Sequence, residues 1–163
     1  MIIFRFLKYG TLWGSYGLLT IPANVASIGA YAFYKSGLMS LTIPSKVASI
    51  DMGAFTGCQN LTSISVDREN PRYESIIGVL FDKVNKSIVQ YPAGKSNHSF
   101  TVPSSVTSVC DGAFQGCHHL ASVIFPDGVI TIGMSAFEEC KGLTSILQVL
   151  HQLEILHLPA VII

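Results

Sequence analysis

Apolar residues recur along this chain in a fixed order, at intervals of 22 or 23 residues, with polar residues and turn formers between them. LTIPANVASIGAYAFYKSGLMS (Leu19 to Ser40) is followed by LTIPSKVASIDMGAFTGCQNLTS (Leu41 to Ser63). After a gap come FTVPSSVTSVCDGAFQGCHHLAS (Phe100 to Ser122) and VIFPDGVITIGMSAFEECKGLTS (Val123 to Ser145). Pro22, Pro44, Pro103 and Pro126 share one column, and Val25, Val47, Val106 and Val129 follow three residues later. Ile28, Ile50, Val109 and Ile132 form the next column, then the pairs Ala32-Phe33, Ala54-Phe55, Ala113-Phe114 and Ala136-Phe137, and last Leu38, Leu61, Leu120 and Leu143. A unit this short cannot bury its own apolar side chains, so copies must stack, and the pattern predicts a β-rich solenoid of short parallel strands. The columns point inward as ladders, each coil covering the edge its neighbour would leave bare. The strands are expected over Leu61 to Val66 or Leu120 to Phe125, each closed by the following proline, which has no N–H to give a ladder. The Ala-Phe site, flanked by glycine and polar residues, fits a tight turn or a single helical turn on the opposite side.

These four coils resemble the BspA-like class of leucine-rich repeats, whose unit runs LxxIxIPxxVxxIGxxAFxGCxx. The resemblance covers about three quarters of the chain. It implies a leucine-rich-repeat solenoid from surface proteins of bacteria and some protozoa that adhere to host proteins or other cells. Localisation at the cell surface or secretion is likewise what the resemblance implies. Two positions depart from the unit: Asp51 and Cys110 stand where Gly29 and Gly133 stand in the other coils. If that glycine adopts a positive φ, both substitutions carry strain.

The interval Ile64 to Ser99 breaks the register and is about a coil and a half long. Gly78-Val79-Leu80-Phe81 and Ser87-Ile88-Val89-Gln90-Tyr91 are β-prone runs separated by a polar turn, which predicts an inserted β-hairpin protruding from the solenoid. The insert holds a large share of the chain's charge. Its long side chains, Arg72, Tyr73, Phe81, Lys83 and Tyr91, have the size and polarity of interface anchors, although a plain spacer that restarts the repeat is an equal reading. The strands offer a second surface: Ser40, Thr42, Ser63, Ser65, Thr101, Ser122 and Ile124 should face outward on the concave side. Small hydroxyls give weak anchors, so that face predicts binding that depends on avidity.

Composition narrows the function classes. Ten basic and ten acidic residues cancel, which gives no electrostatic case for nucleic acid or an anionic membrane. Charged residues make up only 12%, and a chain so neutral, with exposed solenoid ends, is expected to self-associate end to end. Cys58, Cys117 and Cys140 share one column beside the phenylalanines, which predicts a ladder of buried thiols. Cys117-His118-His119 lacks paired ligands at zinc spacing, so neither metal nor cofactor is expected. No GxSxG, HExxH, GxxxxGK[ST] or GxGxxG occurs, and Asp127, Glu138 and Glu139 are lone carboxylates on turns, so no enzyme is expected. Asn60, Asn85 and Asn97 head formal glycosylation sequons that matter only in a eukaryotic secretory route.

The chain divides into an atypical segment 1–18, the solenoid 19–145 with its insert at 64–99, and a tail 146–163 that lacks the repeat. Residues 1–18 make a poor signal peptide, broken by Arg5 and Lys8 and without a small-residue cleavage site. Tyr16 to Pro22 reads as the end of a coil shortened by two residues relative to Ser36 to Pro44. The tail, LQVLHQLEILHLPAVII after Ile146, is too polar at Gln148, His151, Gln152, Glu154 and His157 for a membrane span. Codons compatible with Ile146 to Ile163, read two nucleotides later, spell PSSVTSIGDSAFTSCNN, which is the next repeat intact in another frame. The resulting expectation is a non-catalytic module of a larger surface protein that adheres to surface proteins or glycans. The alternative is a truncated, frameshifted fragment with no independent function.

Overall fold

The computed structural model describes residues 6–7 and 16–148. Each regular coil contributes a longer strand, a turn through proline, a two-residue strand, and a turn through the Ala-Phe pair. The longer strands β2 (Tyr16–Thr20), β4 (Gly37–Ile43) and β6 (Ser63–Val66) form one parallel sheet, and β10 (Ser99–Thr101), β12 (Ser122–Phe125) and β14 (Ser145–Gln148) form another. The two-residue strands β1 (Phe6–Leu7), β3 (Ser27–Ile28) and β5 (Ser49–Ile50) stack as a second parallel column. Strands β11 (Ser108–Val109) and β13 (Thr131–Ile132) continue that column beyond the insert. No helix occurs among the described residues, so the Ala-Phe site is a turn. Proline follows directly on β4 and β12, as its missing N–H requires.

Val25, Ile28, Ala32, Phe33, Leu38, Phe114 and Leu120 are at most 1% exposed, and the phenylalanines stack, Phe33 on Phe55 at 5.2 Å and Phe114 on Phe137 at 4.8 Å between ring centroids. In the thiol column Cys58 and Cys117 are buried and Cys140 is half-buried. Cys58 Sγ donates to the Phe33 carbonyl at 2.9 Å and Cys140 Sγ to the Phe114 carbonyl at 2.9 Å. Burial raises the Cys58 thiol pKa against the lowering effect of its Ser36 bond. The bond to Cys140 and then burial raise Cys117.

Repeat structure begins before Leu19. β1 pairs with β3, and β2 pairs with β4 through a register shift between Gly17 and Leu18. One residue is skipped there rather than two: Gly17 faces Leu38 and Leu18 faces Ser40, so Met39 bulges out and is 56% exposed. The tail beyond Gln148 lies outside the described residues.

The insert does not protrude. β7 (Tyr73–Ile76), β8 (Val79–Asp82) and β9 (Ser87–Gln90) form an antiparallel meander, and β9 pairs in parallel with β11, so the insert is woven into the stack. All four residues of β8 are buried. Leu80 packs with the core of the preceding coils while Val79 and Phe81 pack with that of the following ones. A continuous apolar run marks a strand covered on both faces, and β8 is such a strand, a partition between the two halves of the core. Tyr91 then enters the phenylalanine column, its ring 5.3 Å from Phe114 and its N–H on the Ala113 carbonyl, as Phe33 N–H sits on Ala54.

Candidate functional site

The insert replaces a regular coil but omits that coil's Ala-Phe turn, because the chain runs straight from Ile88 in β9 to Tyr91. The turn of the second coil, Asp51 to Phe55, and that of the next regular coil at Cys110 and Asp111 are therefore left apart, and a cleft of about 360 Å³ opens between them. Ser87, Val89 and Gln90 line its base, and Arg72, Tyr73, Asp82 and Asn85 line its side.

A hydrogen-bonded knot fixes that side. The Asn70 side chain, 1% exposed, donates through Nδ2 to the carbonyls of Pro44 at 2.8 Å and Val47 at 3.0 Å. Its Oδ1 accepts the N–H groups of Arg72 and Tyr73 at 2.9 and 2.8 Å. Every polar atom of this buried amide is used, which clamps the start of the insert to the second coil. Tyr73 Oη accepts the Ile50 N–H at 3.0 Å. Arg72 Nε donates to Asp82 Oδ2 at 2.9 Å, Nη1 donates to the Ala48 carbonyl at 2.9 Å, and the guanidinium lies 5.4 Å from the Tyr73 ring centroid. The Asp82 bond raises the Arg72 pKa further, so the guanidinium stays charged. Asp82 also accepts the Val84 and Asn85 N–H groups through Oδ1 and so shapes the β8–β9 turn.

The structure corrects most of the expected insert anchors. Tyr73 and Phe81 are 3% exposed and Tyr91 1%, so all three are core residues, and of them only Tyr73 borders the cleft. Their apolar rings fill the space that a regular coil's columns would occupy. Arg72 keeps a half-exposed guanidinium in the cleft wall, and the exposed Lys83 donates through Nζ to the Asn70 carbonyl at 2.8 Å. The expected hydroxyl face exists in two pieces. Ser40 pairs with Ser63 and Thr42 with Ser65 before the insert, and Ser122 pairs with Ser99 and Ser145, and Ile124 with Thr101, after it. Thr42, Ser65 and Thr101 are exposed, whereas Ser40, Ser63, Ser122 and Ile124 are half-buried. The β7–β8 turn separates the pieces, Gly78 accepting the Ile64 N–H and abutting Ser63.

Asp51 and Cys110, the two departures from the glycine column, lie on opposite walls of the cleft. Neither is strained, because the positive φ falls two residues later, at Tyr31, Gly53, Gly112 and Ser135. Gly133 serves close approach instead, since a Cβ there would overlap the Asp111 backbone. Burial raises the Cys110 thiol pKa, opposed by its bond with Ser87. The cleft residues Asp82, Gln90 and Asp111, and the Asn70 that clamps its side, carried no motif in the sequence, and only a departure from a repeat column marked Asp51 and Cys110. Among the described residues no three His, Cys, Asp or Glu side chains converge as a metal would need. No helix among them is long and apolar enough to cross a membrane.

The model of the BspA type leucine rich repeat region matches residues 15–97 and 92–155, as 6 copies. The chain belongs to this family. Similar solved structures include a leucine rich cell surface protein from Faecalibacterium prausnitzii A2-165, at 28% identity and TM-score 0.71, over 81% of this chain and 41% of that one. A leucine-rich repeat protein from Eubacterium ventriosum is 24% identical with TM-score 0.69, over 82% of this chain and 42% of that one. The pneumococcal vaccine antigen PcpA is 23% identical with TM-score 0.71, over 80% of this chain and 39% of that one, and it shares the fold. This chain thus spans about 40% of the length of these relatives. No curated protein matches it significantly.

Proposed function

We propose that this chain is a non-catalytic binding module of a larger cell-surface leucine-rich-repeat protein, and that it mediates adhesion to proteins or glycans of a host or neighbouring cell. The observation that carries this reading is the single interruption of an otherwise regular stack. A solenoid built only for length gains nothing from omitting one turn, yet here the omission opens a walled cleft with Arg72, Asp51 and Asp111 around it. Irregular segments held on a rigid scaffold are where repeat proteins carry recognition. The cell-surface description of the Faecalibacterium relative supports the location.

The test displays the chain on a non-adherent bacterium and measures attachment to immobilised extracellular-matrix proteins and to a glycan array. Saturable attachment that survives Thr42→Arg with Ser65→Arg, and is lost on closing the cleft with Ser87→Trp, supports a module that works through the insert. Loss with the hydroxyl-face variant alone would move contact to the strands. The second reading, a fragment with no function of its own, draws on the loss of the repeat columns after Ile146. Failure of every display format to attach, together with non-cooperative melting of the purified chain, would favour it.

A further inference from the structure

Turn-to-turn hydrogen bonds in the regular stack run one way. Phe33 N–H donates to the Ala54 carbonyl at 2.8 Å and Lys35 N–H to Thr56 at 2.9 Å. Beyond the insert Gly112 N–H donates to Met134 at 3.0 Å and Phe114 N–H to Ala136 at 2.8 Å. By the same register the N–H groups of Gly53 and Phe55 should reach carbonyls of the coil whose turn the insert omits. They have no partner among the described residues, although Phe55 is only 3% exposed. On the opposite wall the Ala113 carbonyl is served by Tyr91 N–H, and the exposed Asp111 carbonyl, like that of its counterpart Met52, accepts no backbone bond among the described residues. Buried backbone amides are almost always paired, so the unmet donors of buried Phe55 and half-buried Gly53 on one wall describe a missing length of main chain.

Geometry and charge say what kind. Adjacent chains in a sheet lie about 4.8 Å apart, so removing one leaves roughly 10 Å, room for a single extended backbone. Gly53, Phe55 and Asp111 all line the cleft. The charge on its side is settled, Arg72 being bonded to Asp82 at 2.9 Å. Asp51 and Asp111 are exposed on the two walls with no cation paired to either among the described residues, and Asp111 accepts the Met134 N–H through Oδ1 at 2.7 Å, which leaves Oδ2 to face a ligand.

Resting on the reading of this chain as a binding module, we propose that the cleft takes an extended peptide segment of a partner protein. The segment's main-chain carbonyls accept the Gly53 and Phe55 N–H groups, and its lysine or arginine side chain reaches the Asp51 and Asp111 carboxylates. This is strand addition into a gap in a solenoid rather than onto a sheet edge, with backbone bonds giving affinity and the basic side chain giving selectivity.

The experiment is an amide NMR titration of the whole chain with acetyl-Gly-Thr-Lys-Thr-Gly-amide, its Glu-for-Lys analogue, and free lysine. The lysine peptide is expected to shift the Gly53 and Phe55 amides saturably. The Glu analogue should bind at least about tenfold more weakly, and Asp51→Asn with Asp111→Asn should erase that difference. The Asn variants keep the side-chain shape, and an unchanged spectrum outside the cleft verifies their fold. Equal binding of the two peptides, shifts reproduced by free lysine alone, or no saturable shift at millimolar peptide would each overturn the proposal. Attachment of the displayed chain that persists beside such a negative titration leaves the module standing and removes only this occupant.

Discussion

Tyr91 stands where other coils carry Phe33, Phe55, Phe114 and Phe137, and it brings a buried hydroxyl without a hydrogen-bond partner. An unmet buried polar group costs about 1–3 kcal/mol. Tyr91→Phe should therefore stabilise the chain by about 1 kcal/mol, read as a higher urea midpoint at unchanged slope; a fall would mean the hydroxyl is hydrated. Burial, then the nearby Cys117, pushes the Tyr91 pKa up to about 12. An unfolded tyrosine titrates near 10, so the folded state holds this proton longer, and stability is lost as pH rises between about 10 and 12. The Phe variant should lose part of that alkaline slope, Tyr73, also raised by burial, keeping the rest. The left-handed column gives a second residue-scale test. Gly112 has φ 64 and Ser135 φ 53 at equivalent positions. A Cβ on Gly112 would meet only Gln115, at 3.6 Å. Gly112→Ala should then cost about 1–2 kcal/mol from conformation alone, and Ser135→Gly should gain up to about 1 kcal/mol. Denaturant shifts of opposite sign, the larger for Gly112→Ala, are the expected pair; two neutral results would remove the strain argument.

Among the elements, the ring ladder is the unit of stability. Phe114 is fully buried between Tyr91 and Phe137, with ring separations of 5.3 and 4.8 Å. Phe114→Ala should cost about 3–5 kcal/mol, as large core truncations do. Phe137, 8% exposed in the last described coil, should cost less. A loss at Phe114 below about 1 kcal/mol would deny the column its core role. These columns were legible because they repeat: proline, valine, isoleucine, Ala-Phe and leucine return at 22 or 23 residues, and the valine and Ala-Phe columns are buried throughout, while the prolines range from buried Pro44 to exposed Pro22. The two-residue strands β3, β5, β11 and β13 were not, since a pair of residues carries no alternation to read. The meander misled for a physical reason. Tyr73, Phe81 and Tyr91 look like anchors when the neighbouring coils are unknown, and only the pairing of β9 with β11 reveals that they replace missing core. The cleft was half legible: Asp51 and Cys110 stood out against glycine, but nothing local announced that they share one gap or that Phe55 N–H opens into it.

At the scale of the molecule, stability passes from coil to coil through shared edges, so an uncovered end weakens the stack. β14 keeps register with β12 through Gln148, facing Phe125, but the repeat columns stop at Ile146. In the last described coil the inward residues Ile132, Leu143 and Ile146 are only half-buried, whereas their column-mates Ile28, Leu61 and Ile64 are at most 1% exposed. Those are side chains a further coil would cover, and codons compatible with Ile146 to Ile163 can, when displaced by two nucleotides, spell such a coil, with its proline, valine, isoleucine, Ala-Phe and cysteine in column order. The gene is therefore expected to encode PSSVTSIGDSAFTSCNN in that frame, and sequencing the nucleotides decides the point. A chain with the frame restored should bury at least one of those side chains, contributing about 1.5–3 kcal/mol. At this size each kcal/mol is worth roughly 2–4 °C in Tm, so calorimetry should show a rise of several degrees and light scattering less association at high concentration. An unchanged Tm would mean the described end is already capped, and a gene whose second frame lacks the repeat would remove the frame slip altogether.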